Sequence, residues 1–362
     1  MTTAVPVFDG HNDTILKLEI AARQGRPLDL TAQNKTLDID LPGARRGGFS
    51  GGFFAMFTPS VLGSFDQKFD PDDLANFAPV GQPEALDFTL AMFARMRRLA
   101  AELPEDLALC ESAASIRTAI GRNRIAILPH IEGAECIDTD FNALEILHAA
   151  GLRSLGPVWS RSNAFGHGAP MEAQPELDPG KGLTPAGFDL VRACDALGIL
   201  VDVSHLTEAG FWDVAATTNR PLIATHSNVH AISPSARNLT DRQLAAVAES
   251  DGIVGLNFHV GFLRPDCRQD ADTPIDLMIR HLDHMIGLLG EDGVALGSDF
   301  DGCLLPREIG SVAGLPKLVD AMRQADFGEA LISRICQGNW LAAIERGLGQ
   351  AGTSRATPMA AG

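Results

Sequence analysis

Tyrosine is absent from this chain of 362 residues, an omission to which no functional reading attaches. Basic residues are scarce: 29 Lys and Arg stand against 46 Asp and Glu, for a net charge of −17. That balance leaves no basic patch to neutralise phosphates and excludes a nucleic-acid partner; its ordinary consequence is solubility. The six cysteines are scattered at 110, 136, 194, 267, 303 and 336 with no Cys-x-x-Cys pair. A disulfide framework and a thiolate zinc site are therefore excluded, and reduced, mostly buried thiols suit the cytoplasm. No uninterrupted apolar run is long enough to span a membrane. The first residues lack the basic start and apolar stretch of a signal peptide, and no internal repeat or domain linker is visible.

Present instead are eight short apolar runs: 6–10, 51–57, 125–131, 152–159, 198–204, 221–225, 252–258 and 293–297. Runs of this kind read as parallel strands buried on both faces. Helical patterns separate them. In 84–103, Leu86, Leu90, Phe93, Met96 and Leu99 are expected on one face. Thr184-Pro185 reads as an N-cap with Pro at the first helical position, opening 186–197. Further helices are expected over 142–149, 208–217, 241–250, 274–289 and 329–346. The alternation predicts an α/β fold, a (β/α)8 TIM barrel over residues 1–348 as a single domain, with 349–362 as a disordered tail. An open doubly wound sheet is the alternative. Two segments, 58–83 and 161–182, are long for βα connections and read as substrate walls, as a lid, or as insertions without function.

Five of the runs end in groups that bind metals or move protons. They are Asp9-Gly10-His11-Asn12-Asp13, His130-Ile131-Glu132-Gly133, Val203-Ser204-His205, Thr225-His226-Ser227 and Gly297-Ser298-Asp299-Phe300-Asp301. A barrel would collect these strand ends at one face. His11 and Asp13 alternate, so on extended chain both point the same way. Glu132 and Asp299 end apolar runs, where an unpaired charge is prohibitive. Nitrogen and carboxylate donors without sulfur suit zinc, or manganese, iron or cobalt. Five strong ligands exceed what one open catalytic ion takes, so a two-metal site with Glu132 as the shared carboxylate fits better, its hydroxide nucleophile held between the ions. Asp299 is then placed to accept the water's proton and pass it to a leaving amine.

In these motifs, together with Asp202-Val203-Ser204-His205, Thr225-His226-Ser227-Asn228 and Ala236-Arg237-Asn238, the chain resembles the membrane dipeptidase (renal dipeptidase) family of the amidohydrolase superfamily, from about Val7 to Arg346. The resemblance implies two zinc ions, one on His11 and Asp13, the other on His205 and His226, with Glu132 between. It implies Asp299 on the substrate's free amine, Arg237 on the dipeptide's terminal carboxylate, tolerance of a D-residue at the C-terminal position, and a homodimer. It places Trp159 where many relatives end the fourth strand in a His that polarises the scissile carbonyl, and His259 where they line the pocket with an aromatic. Arg161, Asn163 and His167 are the nearby donors able to compensate. Asp9 is expected to fix the end of the first strand, His130 to support Glu132 from behind, and Asp301 to organise its loop. The expected activity is hydrolysis of small dipeptides. The rivals are an amidase or lactonase acting on N-acyl amino acids and a non-catalytic binding protein on the same scaffold.

Overall fold

A computed structural model describes residues 4–61 and 73–349. The reading of the C-terminal segment as a tail therefore falls, after Gly349, outside the described residues, as do 62–72 of the first long insertion.

The described residues form nine strands: β1 (Val7–Asn12), β2 (Phe49–Phe57), β3 (Leu107–Leu109), β4 (Ile125–Glu132), β5 (Ser154–Gly156), β6 (Leu200–Val201), β7 (Ile223–Ala224), β8 (Ile253–Leu256) and β9 (Val294–Leu296). Every pairing between them is parallel. One sheet runs β1-β2-β4-β5-β6, with β3 on the first half of β4, and a second runs β7-β8-β9. The edges of the two approach each other twice, through isolated parallel bridges Asp202–Ile223 and Asn12–Phe300. The result is an α/β fold on a curled parallel sheet. Side chains from β1, β2, β4, β6, β7, β8 and β9 (Phe8, Phe53, Leu128, Leu200, Ile223, Ile253, Ala295) share one buried cluster with Trp340. The opposite strand faces pack against the helices in the larger core.

Each of the eight expected apolar runs contains one strand, but several strands are shorter than their runs. In 198–204 the regular strand covers only Leu200–Val201; beyond it Asp202 N donates to Leu155 O (2.9 Å) and Val203 N to Ile223 O (2.8 Å), while the Asp202 carboxylate accepts from Ser204 N (3.0 Å) and Thr225 N (2.9 Å). The strand β3 is unanticipated, as are helices at Thr14–Arg23, Leu41–Gly47, Ala113–Gly121 and Leu315–Gln324. The helix Gln82–Glu102 forms, but its inward face is Ala85, Phe88, Thr89, Met92, Phe93 and Met96, and Leu90 is exposed. Positions 85, 89, 92 and 96 keep the i, i+3/i+4 spacing of one stripe, and Leu90 falls outside it. Thr184 caps the helix Pro185–Leu197 as expected, its hydroxyl accepting from Gly187 N at 3.1 Å. All six cysteines are unpaired. Among the described residues no helix is long and apolar enough to cross a membrane.

Candidate metal centre

The C-terminal ends of β1, β4, β6, β8 and β9 lead into segments that line one cavity of about 410 Å³, within the range of small-molecule sites. Asp13, Glu132, Trp159, His205, His259 and Asp299 are among its lining.

His11 is fully buried on the last turn of β1. Asp13 lies just past the strand, at the N-cap of the helix Thr14–Arg23, yet its Oδ2 still lies 3.5 Å from His11 Nε2. Glu132, the last residue of β4, divides its carboxylate between two groups. Its Oε1 lies 2.9 Å from His205 Nε2 and 3.5 Å from His226 Nε2, while Oε2 lies 3.5 Å from His11 Nε2. The Nε2 atoms of His205 and His226 face each other at 3.0 Å. His226 Nδ1 meets Thr225 Oγ1 at 2.8 Å, and that hydroxyl spends its proton on Asp202 Oδ2 at 2.5 Å. The threonine oxygen must therefore accept from His226 Nδ1–H, which leaves Nε2 with its lone pair turned to the site. His205 Nδ1 is held in turn by Ser160 Oγ at 2.8 Å.

Burial dominates the imidazole pair. It pushes His205 down to about 4 and His226 well below its usual value, the Arg237 charge helping for His205 and the His11 charge for His226. Both are neutral at pH 7, the form that ligates. Burial alone would also depress His11, but the Glu132 and Asp13 carboxylates outweigh it and hold that imidazole well above its usual value. For Glu132, burial is outweighed by the histidines, His11 first, which hold the carboxyl well below the usual range. Burial lifts Asp13 to about 7. Among the described residues, His11 Nδ1, His11 Nε2 and Asp13 Oδ1 are buried without a hydrogen-bond partner. Orphaned donor atoms, opposed imidazole lone pairs and clustered carboxylates together fit divalent cations. Two triads lie close enough to hold an ion, His11–Glu132–His226 and His11–Asp13–Asp299.

Asp299 follows β9 in the left-handed region, φ 60°, and His205 sits there too, φ 66°. Non-glycine residues in this region carry strain of about 1–3 kcal/mol and are found where surroundings hold them. Here Asp299 N donates to His11 O (3.0 Å) and Ala169 N to His205 O (2.7 Å). Asp9 ties β1 to the same turn, accepting from Ser298 N (2.6 Å) and Ser298 Oγ (2.7 Å). Asp301 accepts from Thr14 Oγ1, Asp38 N and Ile39 N, and pairs with Lys17 at 3.2 Å. His130 stands behind the centre, edge-on to His11 and bonded to Ser154 Oγ at 3.0 Å.

The remaining expected site residues divide. Trp159 lines the cavity, stacked on Phe77 (5.3 Å) and packed on Phe57 (4.9 Å); the described residues of the first long insertion are absent from the lining, and Phe77 only backs Trp159. The second insertion does supply wall, through Met171. His259 lines it with Nε2 2.9 Å from Gln269 Oε1. Arg237 is buried beside the centre and outside the cavity lining, bonded to His226 O at 3.2 Å, with its Nε unpartnered among the described residues. Its pKa falls to about 10 through burial, so it stays charged. His167 is not brought to the centre: it bonds Ser162 Oγ at 2.8 Å and borders a separate cleft of about 230 Å³. Arg161 is committed to Glu135 Oε1, Thr58 O and Ser60 Oγ, and Asn163 to Pro157 O. None of these three lines the cavity that holds Trp159. Sequence reasoning missed Asn257, whose Nδ2 donates to Asp299 Oδ2 at 3.0 Å. Its signal was available, since Asn257 interrupts the apolar run 252–258.

A parallel α/β frame with imidazoles and carboxylates gathered beyond its C-terminal strand ends is that of a metal-dependent hydrolase. The chain belongs to the membrane dipeptidase family (peptidase family M19), whose profile matches residues 1–351, and it is thereby a metallopeptidase. It is 44% identical over 262 residues to an uncharacterised Klebsiella pneumoniae protein encoded in the pqqA 5′ region, covering 72% of this chain and 97% of the relative. A Rhodobacter sphaeroides metallopeptidase, solved with a phosphinate mimic of the dipeptide L-Ala-D-Ala, superposes with a TM-score of 0.88 at 43% identity, over 95% of this chain and 99% of that one. A probable dipeptidase, PvdM of Pseudomonas aeruginosa, shares the fold at 20% identity and a TM-score of 0.78, over 95% of this chain and 96% of that one.

Proposed function

We propose that this chain is a binuclear, zinc-dependent dipeptidase that cleaves small dipeptides and accepts a D-residue at the C-terminal position. The observation that carries the two-ion reading is the division of Glu132, with Oε1 toward His205 and His226 and Oε2 toward His11. His11 and Asp13 would hold one ion and His205 and His226 the other, with Glu132 shared. Tolerance of the D-residue rests on the L-Ala-D-Ala mimic bound by the Rhodobacter relative. The frame for this site is a closed (β/α)8 barrel spanning residues 1–348 as one domain. Closure is supported by the two bridges between sheet edges and by the buried cluster that draws side chains from both sheets. The unpaired cysteines favour a reducing, cytoplasmic setting.

When bound, the ions would acidify a water and polarise the scissile carbonyl. The chain's own residues do the rest. Asp299 takes the water's proton and returns it to the leaving amine. Its carboxylate also attracts the substrate's free ammonium, which favours dipeptides over N-acyl amino acids. Arg237, charged and with an unsatisfied Nε, recognises the terminal carboxylate after a short side-chain movement. Trp159, Phe57, Met171 and Phe262 give the cavity an apolar wall that excludes water and suits apolar side chains. With Trp159 in the wall and Arg161, Asn163 and His167 engaged elsewhere, none of these four takes the place of the carbonyl-polarising histidine of many relatives.

A steady-state screen of L,L- and L,D-dipeptides against N-acyl amino acids and lactones, with zinc-loaded protein, tests the reading. Dipeptides with a free amine should be cleaved, with L,D-pairs among them. Preference for N-acyl substrates or lactones would replace it with the amidase or lactonase reading.

A further inference from the structure

Asp299 carries the proton in the proposed reaction, yet a carboxylate's terminal torsion is broad and two-fold. Something must decide which oxygen faces the reacting atoms. The surrounding asparagines do so. Asn257 is fully buried just beyond β8. Its Oδ1 accepts from His259 N at 2.6 Å, and because a backbone N–H only donates, the amide cannot be turned over. The NH2 group therefore faces Asp299 and donates to Oδ2 at 3.0 Å.

Asn257 is itself clamped. Its N–H donates to Asn228 Oδ1 and its carbonyl accepts from Asn228 Nδ2, both at 2.9 Å. Asn228 lies two residues after His226 and also donates to Phe262 O at 3.2 Å. Asn238, next to Arg237, donates to that same carbonyl at 2.9 Å. Three buried amides thus join the segments that carry His226, Arg237 and Asp299. With Oδ2 engaged, Oδ1 is left on the side of Asp13, where a methyl on Gly302 would meet Asp299 Oδ1 at 2.7 Å and Asp13 Oδ2 at 2.1 Å.

We propose that Asn257 is a positioning residue for proton transfer, holding Asp299 by Oδ2 so that Oδ1 alone exchanges the proton. As the water oxygen bonds the carbonyl carbon, the C=O π pair moves onto the carbonyl oxygen and the water's proton passes to Oδ1. When that pair re-forms C=O, the C–N bond breaks, and the nitrogen keeps the C–N pair and takes the same proton from Oδ1. This rests on the assignment of Asp299 as the proton carrier.

Kinetics of the zinc-loaded Asn257→Asp and Asn257→Ala variants test it. Asn257→Asp keeps the shape, the acceptor for His259 N–H and the backbone pairing with Asn228, but sets a second carboxyl against Asp299 in place of the donor; Asn257→Ala removes the donor without adding a charge. Both variants should lose about tenfold to a hundredfold in kcat, with KM within about threefold and metal content unchanged. On an Asp299→Asn background, Asn257→Asp should cost little more. An Asn257→Ala enzyme within twofold of the parent overturns the assignment, as does loss of metal or a full second loss on the Asp299→Asn background. If Asp299→Asn itself turns over normally, the proton-carrier reading fails instead, and the two failures are distinguishable.

Discussion

Replacing Gly302 by alanine perturbs the site without removing a donor or a charge. A Cβ there would stand 2.1 Å from Asp13 Oδ2, 2.7 Å from Asp299 Oδ1 and 3.0 Å from Asp13 Cγ. Gly302 has no left-handed backbone requirement, so the added methyl is the whole perturbation. Real Cβ contacts essentially never fall below 3.0 Å, so the Asp13 carboxylate must retreat by about 1 Å. Displacements of that size at reacting groups cost about a hundredfold in rate, whereas overpacking costs about 1–3 kcal/mol of stability. Gly302→Ala should therefore fold, bind zinc more weakly at the His11–Asp13 side, and lose about two orders of magnitude in kcat/KM. Gly287→Ala serves as the control: in the helix Ile275–Leu289 its methyl meets nothing within 4 Å. That variant should keep full activity and gain about 0.5–1 kcal/mol. The assays are zinc content by mass spectrometry, dipeptide kinetics and thermal melts. Full metal occupancy with parental kcat/KM in Gly302→Ala would refute the placement of Asp13 and Asp299 at the reacting centre.

Glu132→Ala should abolish measurable turnover and loosen both ions, as zinc content and kinetics will show; near-normal kcat would remove the shared-carboxylate role. Chelation should destabilise the protein by about 4 kcal/mol per ion held at a thousandfold excess over its Kd, which at roughly 2.1 cal/mol/K per residue over 362 residues is about 5 °C in Tm per ion. A Tm unmoved by chelator would contradict a buried metal centre. His281, outside the cavity lining, is buried neutral, accepting from Val229 N (3.1 Å) and bonding Leu263 O (3.0 Å), and burial pushes its pKa down to about 4. Its stabilisation is whole above pH 6.5 and is lost as pH falls toward 4, about 2 kcal/mol by pH 5. Denaturant melts of the parent and of His281→Leu at pH 7.5 and 5 should differ in pH slope by that amount, and equal slopes would refute it.

How far the chain could be read depended on what each feature asks of its neighbours. Strands buried on both faces announce themselves as apolar runs, so all eight segments were legible, while β3, only Leu107–Leu109, is too short to stand out. Charged groups closing apolar runs were legible for the same reason, since burial makes His11, Glu132 and Asp299 costly without partners. The groups that orient them were less so. Ser160 serves His205 from 45 residues away, and Thr225 acts through Asp202, so each hydroxyl gains meaning only when the strands are side by side. Asn257 interrupts its run without a charge to draw notice. Loop direction was the least legible: His167 and Arg161 had the right chemistry, and backbone paths took both away from the cavity wall.

The claim at the centre is that Glu132 lies between two ions. Anomalous diffraction at the zinc edge from crystals of the zinc-saturated protein tests it directly. The account predicts two peaks about 3.5–4 Å apart on either side of the Glu132 carboxylate, one near His11 and Asp13, the other near His205 and His226. A single peak, or none within reach of Glu132, would contradict it.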